Sequence, residues 1–279
     1  MRVAARVDGS DFAPNTKDYG RALSDIGRCE ACGHMQLIQM PSDVILGEVY
    51  GEAADVEYVD EEEGQRATAR EILGRLEEHV PPGRLLDLGC WVGFLMSEAT
   101  KRGWTATGVE PSAWASSYAR DQLGLTVLND DLMTAPLEQA SFDAVVLGDV
   151  IEHLPEPSAG LQRIATLLAP GGALVMMLPD AGSRLARMMG KRWWSVLPTH
   201  VQYFTRQSMT ALLEREGWKV VEIRTAPKIF TVGYYLSRLG GYSKAVEKVL
   251  LGSAKAVRLA DRPWGPDFRD RMLVIAVRA

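Results

Sequence analysis

Arg84-Leu-Leu-Asp-Leu-Gly-Cys-Trp-Val-Gly-Phe-Leu95 reads as a short apolar strand that breaks into a glycine turn and then a helix. Leu85 to Leu88 has the pattern of a parallel strand buried on both faces. Gly89 and Gly93 sit where a backbone must turn tightly or admit a ligand, and the helix is expected from about Phe94. Such a turn at the carboxyl end of the first strand is where open α/β sheets bind nucleosides. A second strand, Trp104 to Val109, ends in Glu110. An acid about 20 residues past the turn suits a ribose, because one carboxylate can accept from both hydroxyls. No third glycine completes a pyrophosphate cradle, so the expected ligand is a nucleoside without phosphates.

The rest of the chain continues the alternation of strand and helix. Ala69, Ile72, Leu73, Leu76 and Val80 carry helical spacing ahead of the first strand. Ser112 is placed to cap a helix that Gly124 closes, and Leu125 to Leu128 follows as a third strand. Ser141-Phe-Asp-Ala-Val-Val-Leu-Gly-Asp149 is a fourth, opening into Val150-Ile-Glu-His-Leu-Pro-Glu-Pro157. Pro170-Gly-Gly172 turns into a fifth strand, Ala173 to Leu178. Trp218 to Thr225 and Arg271 to Val277 read as the sixth and seventh. Between those two, Val246, Val249, Leu250 and Val257 show helical periodicity. That region, about 227–269, is expected to be a helical insertion that covers a substrate site or builds a homodimer contact.

D-x-G-C-x-x-G at Asp87 to Gly93, the acid Glu110, D-V-x-E-H-L-x-x-P at Asp149 to Pro157 and the Pro-Gly-Gly turn together resemble the class I S-adenosylmethionine-dependent methyltransferases. The match is closest to enzymes that modify ubiquinone and saccharides, and it covers residues 65 to 225 and the last strand. It implies an α/β, Rossmann-like, seven-stranded sheet, mostly parallel with the last strand antiparallel, in a domain spanning 65–279. S-adenosylmethionine is the implied cofactor and S-adenosylhomocysteine the product. Asp87, Gly89, Cys90, Trp91, Gly93 and Phe94 would surround the methionine end, and Glu110 and Pro111 the ribose. Asp131 and Leu132 would meet the adenine, with Gly148 and Asp149 beside the methyl group. One position departs from the family pattern G-C-G-x-G: Trp91 replaces the middle glycine, where positive φ disfavours a bulky residue. The indole is expected to turn away and leave the backbone path intact. The alternative is a non-catalytic nucleoside-binding or scaffold protein.

A hydroxyl or carbon acceptor must lose a proton, and histidine suits that task near neutral pH. His200, in Thr199-His-Val-Gln-Tyr-Phe-Thr205, is the first candidate base, and His153 the second. An i, i+4 step would put Asp149 and His153 on one helix face. Some related sugar C-methyltransferases carry a glutamate before this histidine; Thr199 stands there, which places oxygen ahead of carbon, with deoxysugar C-methylation as the alternative. A magnesium ion on Asp149 and Asp180 is a lesser reading. Acceptor contacts are expected from Arg184, Arg187, Lys191, Arg192, Trp193 and Trp194, where cations could hold an anion and indoles stack on a sugar or ring. Tyr203 and, from a lid before the first helix, Tyr50 and Tyr58 join them.

Residues 1–64 form a separate segment. Residues 1 to about 28 are polar, turn-rich and expected to be loosely structured. Arg28-Cys-Glu-Ala-Cys-Gly-His34 is half of a zinc ribbon, with Cys29, Cys32 and His34 a partial ligand set. In the resembling family a zinc module ends in a segment of this kind; the first knuckle is missing here, so a metal-free relic is expected. A net charge of −5 argues against nucleic acid as partner, leaving a small-molecule acceptor. No apolar run is long enough for a membrane span, and Met1 to Val7 lacks a signal-peptide core, so a cytoplasmic protein is expected. Three cysteines fit a reducing compartment.

Overall fold

A computed structural model describes residues 1–5, 8–9, 19–42 and 59–279. Strands β1 (Arg84–Leu88), β2 (Thr105–Val109), β3 (Thr126–Leu128), β4 (Phe142–Gly148), β5 (Leu168–Pro179), β6 (Trp218–Thr225) and β7 (Arg271–Arg278) form one sheet. Its order is β6-β7-β5-β4-β1-β2-β3. Every pair is parallel except those of β7, which runs antiparallel to β5 and β6. The order reverses between β1 and β4, so the crevice beyond their carboxyl ends is the natural ligand site of this sheet.

Strand alternation explains why the sheet is covered twice. Side chains point to opposite faces in turn, so a strand buried on both faces is apolar throughout. In β4 and β5, Val145, Leu147, Leu174 and Met176 enter one core, and Ala144, Val146, Ala173 and Val175 enter the other. The first core is closed by α4 (Pro157–Leu167) and α6 (Arg206–Arg215), through Leu161, Ile164, Met209 and Leu213. The second is closed by α1 (Glu62–Leu76) and α2 (Phe94–Lys101), through Ile72, Leu73, Leu76 and Ala99. Truncating one such leucine or isoleucine to alanine costs about 2–5 kcal/mol. The third helix of the domain, α3 (Ala113–Leu123), begins at Ser112, whose hydroxyl accepts from the Ala115 N–H, and ends at Gly124 with φ 64°. Both caps match the sequence reading.

Of residues 1 to about 28, expected to be loosely structured, 6–7 and 10–18 lie outside the described residues, and parts of the rest are paired. Arg2–Ala5 and Ile26–Arg28 join Met35–Leu37 and Gln202–Tyr203 in a small antiparallel sheet. Local turn signals hid this, because the pairing that orders the segment comes from far along the chain. The insertion after β6 holds α7 (Val232–Arg238) and α8 (Lys244–Ala256). Its backbone is fastened by side chains of α1 and of the N-cap before it: the Ile229 N–H donates to Thr68 Oγ1 at 2.9 Å and the Thr231 N–H to Glu61 Oε2 at 2.6 Å. A Cβ on Gly64 of α1 would lie 2.4 Å from the Ile229 carbonyl oxygen, so only glycine permits this approach. No helix among the described residues is long and apolar enough to cross a membrane.

Candidate active site

A cavity of about 1340 Å³ opens at the carboxyl ends of β1, β2 and β4. Its floor is the glycine turn, where three residues within five adopt positive φ: Gly89 (69°), Trp91 (49°) and Gly93 (84°). A Cβ on Gly89 would sit 2.6 Å from Val150 Cγ2, and one on Gly93 would sit 2.5 Å from Leu125 Cδ1. Both glycines are therefore fixed by space as well as by conformation. Trp91 keeps the backbone path in the left-handed region, which costs a residue of its bulk about 1–2 kcal/mol. Its indole packs on Trp114, centroids 5.7 Å apart, and still contributes to the cavity wall.

Glu110 is the best-defined polar group of this wall. One carboxylate oxygen accepts from the Trp91 N–H and the other from the Ser112 N–H, both at 2.8 Å. Each oxygen retains a lone pair for a further donor, which is what a vicinal diol offers. Burial pushes its pKa up to about 7, against the pull of those two N–H groups. Asn129 braces the loop by donating to the Glu110 and Pro111 carbonyls at 2.9 and 2.8 Å. Sequence reasoning passed over Asn129, whose role depends on β2 and β3 being neighbours. Asp131 and Leu132 also border the cavity; Asp131 Oδ1 accepts from the Met133 N–H at 2.8 Å. Gly148 lies on the wall as well, and a Cβ built there meets nothing within 4 Å.

Other candidates sit behind this surface. Asp87, Cys90, Gly93 and Phe94 are not on the cavity wall. Asp87 is buried beneath the turn, where burial and the Glu110 charge push its pKa up to about 8. The Cys90 side chain packs with Met96, Ala119 and Val127, and Phe94 packs with Val92 and Ala115 under the Arg66 guanidinium. These residues shape the turn from below.

The opposite wall is built after β4. The expected helix from Asp149 to His153 does not form. Asp149 takes φ 56°, its N–H donates to the Met177 carbonyl at 2.8 Å, and only a 3-10 turn, Ile151–His153, follows. Pro155 forces Leu154 into an extended conformation and ends the turn. Asp149 is clamped by Lys228 and by Arg271 of β7; despite burial, these charges hold its carboxyl well below the usual range. Both cations line the cavity, and sequence reasoning missed both. Arg271 arrives at the start of β7, which lies between β5 and β6, and Lys228 arrives from the segment that follows β6.

His153 and His200 line the same wall, with ring centroids 4.8 Å apart. Each ring is oriented by a backbone carbonyl: His153 Nδ1 donates to Thr199 O at 2.8 Å and His200 Nδ1 to Ser195 O at 2.9 Å. A carbonyl only accepts, so each neutral imidazole carries its proton on Nδ1 and its lone pair on Nε2. Burial lowers both pKa values, that of His200 to about 3 with the neighbouring His153 adding to the effect. Close to both is Glu152, 2% exposed, with no hydrogen-bond partner for either carboxylate oxygen among the described residues. Burial, and next the Asp149 charge, push it up to about 8. Ligand atoms of Glu152, His153 and His200 lie within 4.8 Å of one another.

The basic stretch after β5 falls elsewhere. Arg184 and Arg187 lie on a short helix, α5 (Arg184–Met189), and with Lys191 and Arg192 they are exposed and off the cavity wall. Their periodicity was that of a wet helix face. Trp193 is buried, its Nε1 donating to Asp270 Oδ2 at 3.0 Å, whereas Trp194 reaches the cavity beside Phe268. Tyr203 is buried in the small sheet and does not reach the cavity. Tyr50 and Tyr58 lie outside the described residues. Asp180 accepts from Arg206 and the Gly182 N–H at 3.0 and 2.9 Å and is not on the wall, so it makes no magnesium pair with Asp149 there. His34 is not drawn to the two sulfurs: its Nε2 is 2.8 Å from Gln202 Oε1 and its ring packs on Phe204. Cys29 and Cys32 share a tight turn in which the Cys32 and Ala31 N–H groups lower the Cys29 thiol pKa.

Comparison with known proteins agrees with this geometry. The family model described as a methyltransferase domain matches residues 61–223, more than half of the chain. The ubiquinone biosynthesis O-methyltransferase of Aeromonas salmonicida is 35% identical over 115 residues, covering 38% of this chain and 47% of that one. The chain thus spans about half the length of that curated relative. A SAM-dependent methyltransferase from Archaeoglobus fulgidus superposes with a TM-score of 0.55 at 17% identity, over 80% of this chain and 99% of that one. Geranyl diphosphate C-methyltransferase from Streptomyces coelicolor superposes with a TM-score of 0.51 at 16% identity, over 76% and 79%. At such identities the structures show a shared fold, and the family match carries the assignment. The chain belongs to the class I S-adenosylmethionine-dependent methyltransferases.

Proposed function

We propose that this protein methylates an oxygen of a small-molecule acceptor, a sugar, glycan or secondary metabolite, using S-adenosylmethionine. The observation that carries the reading is the pair of walls. A carboxylate suited to a ribose stands on one, and two imidazoles with Nε2 lone pairs stand on the other. Glu110 would hold the ribose, the loop from Asn129 to Leu132 the adenine, and the backbone turn from Gly89 to Trp91 the amino-acid end. When bound, the cofactor supplies an activated methyl group on a sulfonium. The protein's part is alignment and removal of the acceptor proton, and positioning alone can supply much of the acceleration.

Oxygen is favoured over carbon because Thr199 stands where some related sugar C-methyltransferases carry a glutamate, and each imidazole is oriented by a backbone carbonyl. Because burial lowers the basicity of both rings, the pair suits the more acidic hydroxyls of that acceptor set, a phenol ahead of a sugar hydroxyl. Trp194, Tyr235, Trp264 and Phe268 border the cavity and bring aromatic surface to it, while Phe230 and Tyr234, also on the wall, stack on each other with centroids 4.2 Å apart. The volume exceeds the roughly 300–1,000 Å³ of a pocket for one ligand, in keeping with cofactor and acceptor sharing it.

The test is incubation with S-adenosylmethionine and a panel of sugar and phenolic hydroxyl compounds, read by mass spectrometry. A singly methylated ether product, lost in His153→Ala while S-adenosylhomocysteine still binds, is the expected result. A product methylated on carbon, or unchanged turnover in His153→Ala, would overturn the assignment.

A further inference from the structure

We propose that Glu152, His153 and His200 form a binding site for one divalent transition-metal ion of the zinc class, on the acceptor wall of the cavity. The site itself stands on geometry; its use in catalysis rests on the reading that this wall receives the acceptor.

Four observations converge. The three ligand atoms already lie within 4.8 Å of one another. Ligands around a tetrahedral zinc ion, at about 2.0–2.1 Å, stand roughly 3.3 Å apart, so small side-chain rotations close the set. Second, Glu152 is 2% exposed and neither of its oxygens has a partner among the described residues. Buried carboxylates are paired or bind metals, and one left without either calls for an explanation. Third, both histidines donate Nδ1–H to backbone carbonyls, the outer-shell arrangement that fixes a metal-binding imidazole and presents Nε2. Fourth, the two loops that deliver the ligands are stitched together, the Val201 N–H donating to the Glu152 carbonyl at 3.0 Å.

The donor set selects the ion. Two imidazoles and one carboxylate suit zinc, cobalt or manganese, whereas calcium and magnesium favour all-oxygen shells. Three protein ligands leave a tetrahedral ion one open position, the mark of a catalytic rather than a structural site. His153 and His200 line the cavity, so that position faces the space where an acceptor hydroxyl would lie. A cation there would occupy the Nε2 lone pairs in place of a proton, balance the buried carboxylate and lower the pKa of an acceptor hydroxyl, so that the hydroxyl proton would pass to solvent and not to an imidazole.

Cobalt(II) titration of the metal-stripped full-length protein tests the site. It is made in a Cys29→Ser, Cys32→Ser background so that thiolates cannot compete. One equivalent should bind with visible absorption bands of a low-coordinate ion. Glu152→Gln and His200→Ala should each weaken that binding at least tenfold while leaving S-adenosylhomocysteine affinity unchanged, and His200→Ala alone decides if Glu152→Gln does not fold. Absence of the bands, or bands indifferent to both changes, would overturn the proposal. Cobalt binding without methyl transfer to any acceptor would support the metal site and remove the acceptor reading. Full activity in metal-stripped enzyme that binds no cobalt would do the reverse.

Discussion

Lowering the pH should weaken cofactor binding by an amount set by one residue. Glu110 is 4% exposed, and burial places its pKa at about 7 despite two N–H donors. Ribose hydroxyls donate hydrogen bonds, so they require the ionised carboxylate. Below pH 7 the group is mostly protonated, and binding must expel that proton at about 1.4 kcal/mol per pH unit. The apparent Kd for S-adenosylhomocysteine should therefore rise about 10-fold between pH 8 and pH 6, and about 30-fold by pH 5.5. Isothermal titration calorimetry in buffers of different ionisation enthalpy would read both quantities. Close to one proton should be released per ligand at pH 6 and close to none at pH 8. Glu110→Gln should bind more weakly and lose the slope. A wild-type Kd that stays flat from pH 5.5 to 8, with no proton release, would refute the assignment of Glu110 to the ribose.

The same shift acts on folding. A carboxyl whose pKa is raised from 4.5 unfolded to about 7 folded stabilises the protein fully below pH 4.5, and that contribution is lost as pH climbs towards 7. The ligand-free protein should then melt at lower temperature at pH 8 than at pH 5, a difference that Glu110→Gln reduces and that differential scanning calorimetry measures. Gly148→Val places a side chain where nothing lies within 4 Å; it should leave the melting temperature nearly unchanged and abolish S-adenosylhomocysteine binding. Asp149→Ala leaves Lys228 and Arg271 without their shared counter-ion and should cost about 3 kcal/mol in urea unfolding. Gly64→Ala drives a methyl group into the Ile229 carbonyl, and should loosen the insertion, seen as faster hydrogen exchange at the Ile229 and Thr231 amides.

What the sequence showed well was local. The strand, turn and helix around Gly89 are encoded by adjacent residues, and the Glu110 position follows from one strand length. The Ser112 and Gly124 caps carry their chemistry in their own side chains or lack of one. Features made by distant pairing stayed hidden. Arg271 reaches Asp149 through the antiparallel placement of β7 and Lys228 from the segment after β6, and Arg2–Ala5 is ordered by Ile26–Arg28, itself paired to Met35–Leu37. The basic run from Arg184 to Arg192 was misleading because a solvated helix face and an anion-binding loop have the same composition. Glu152 had a readable signal, an acid directly before His153 at a strand end, but its importance depends on burial, which composition does not report.

The most direct measurement of the central claim is methyl transfer set beside cofactor affinity in wild type, Glu110→Gln and His153→Ala. A hydroxyl acceptor identified by screening should be methylated by wild type. Glu110→Gln should raise the Kd for S-adenosylhomocysteine, whereas His153→Ala should bind it normally and transfer no methyl group. Equal loss of affinity in both variants, or undiminished transfer in His153→Ala, would contradict the division of the cavity into a cofactor wall and an acceptor wall.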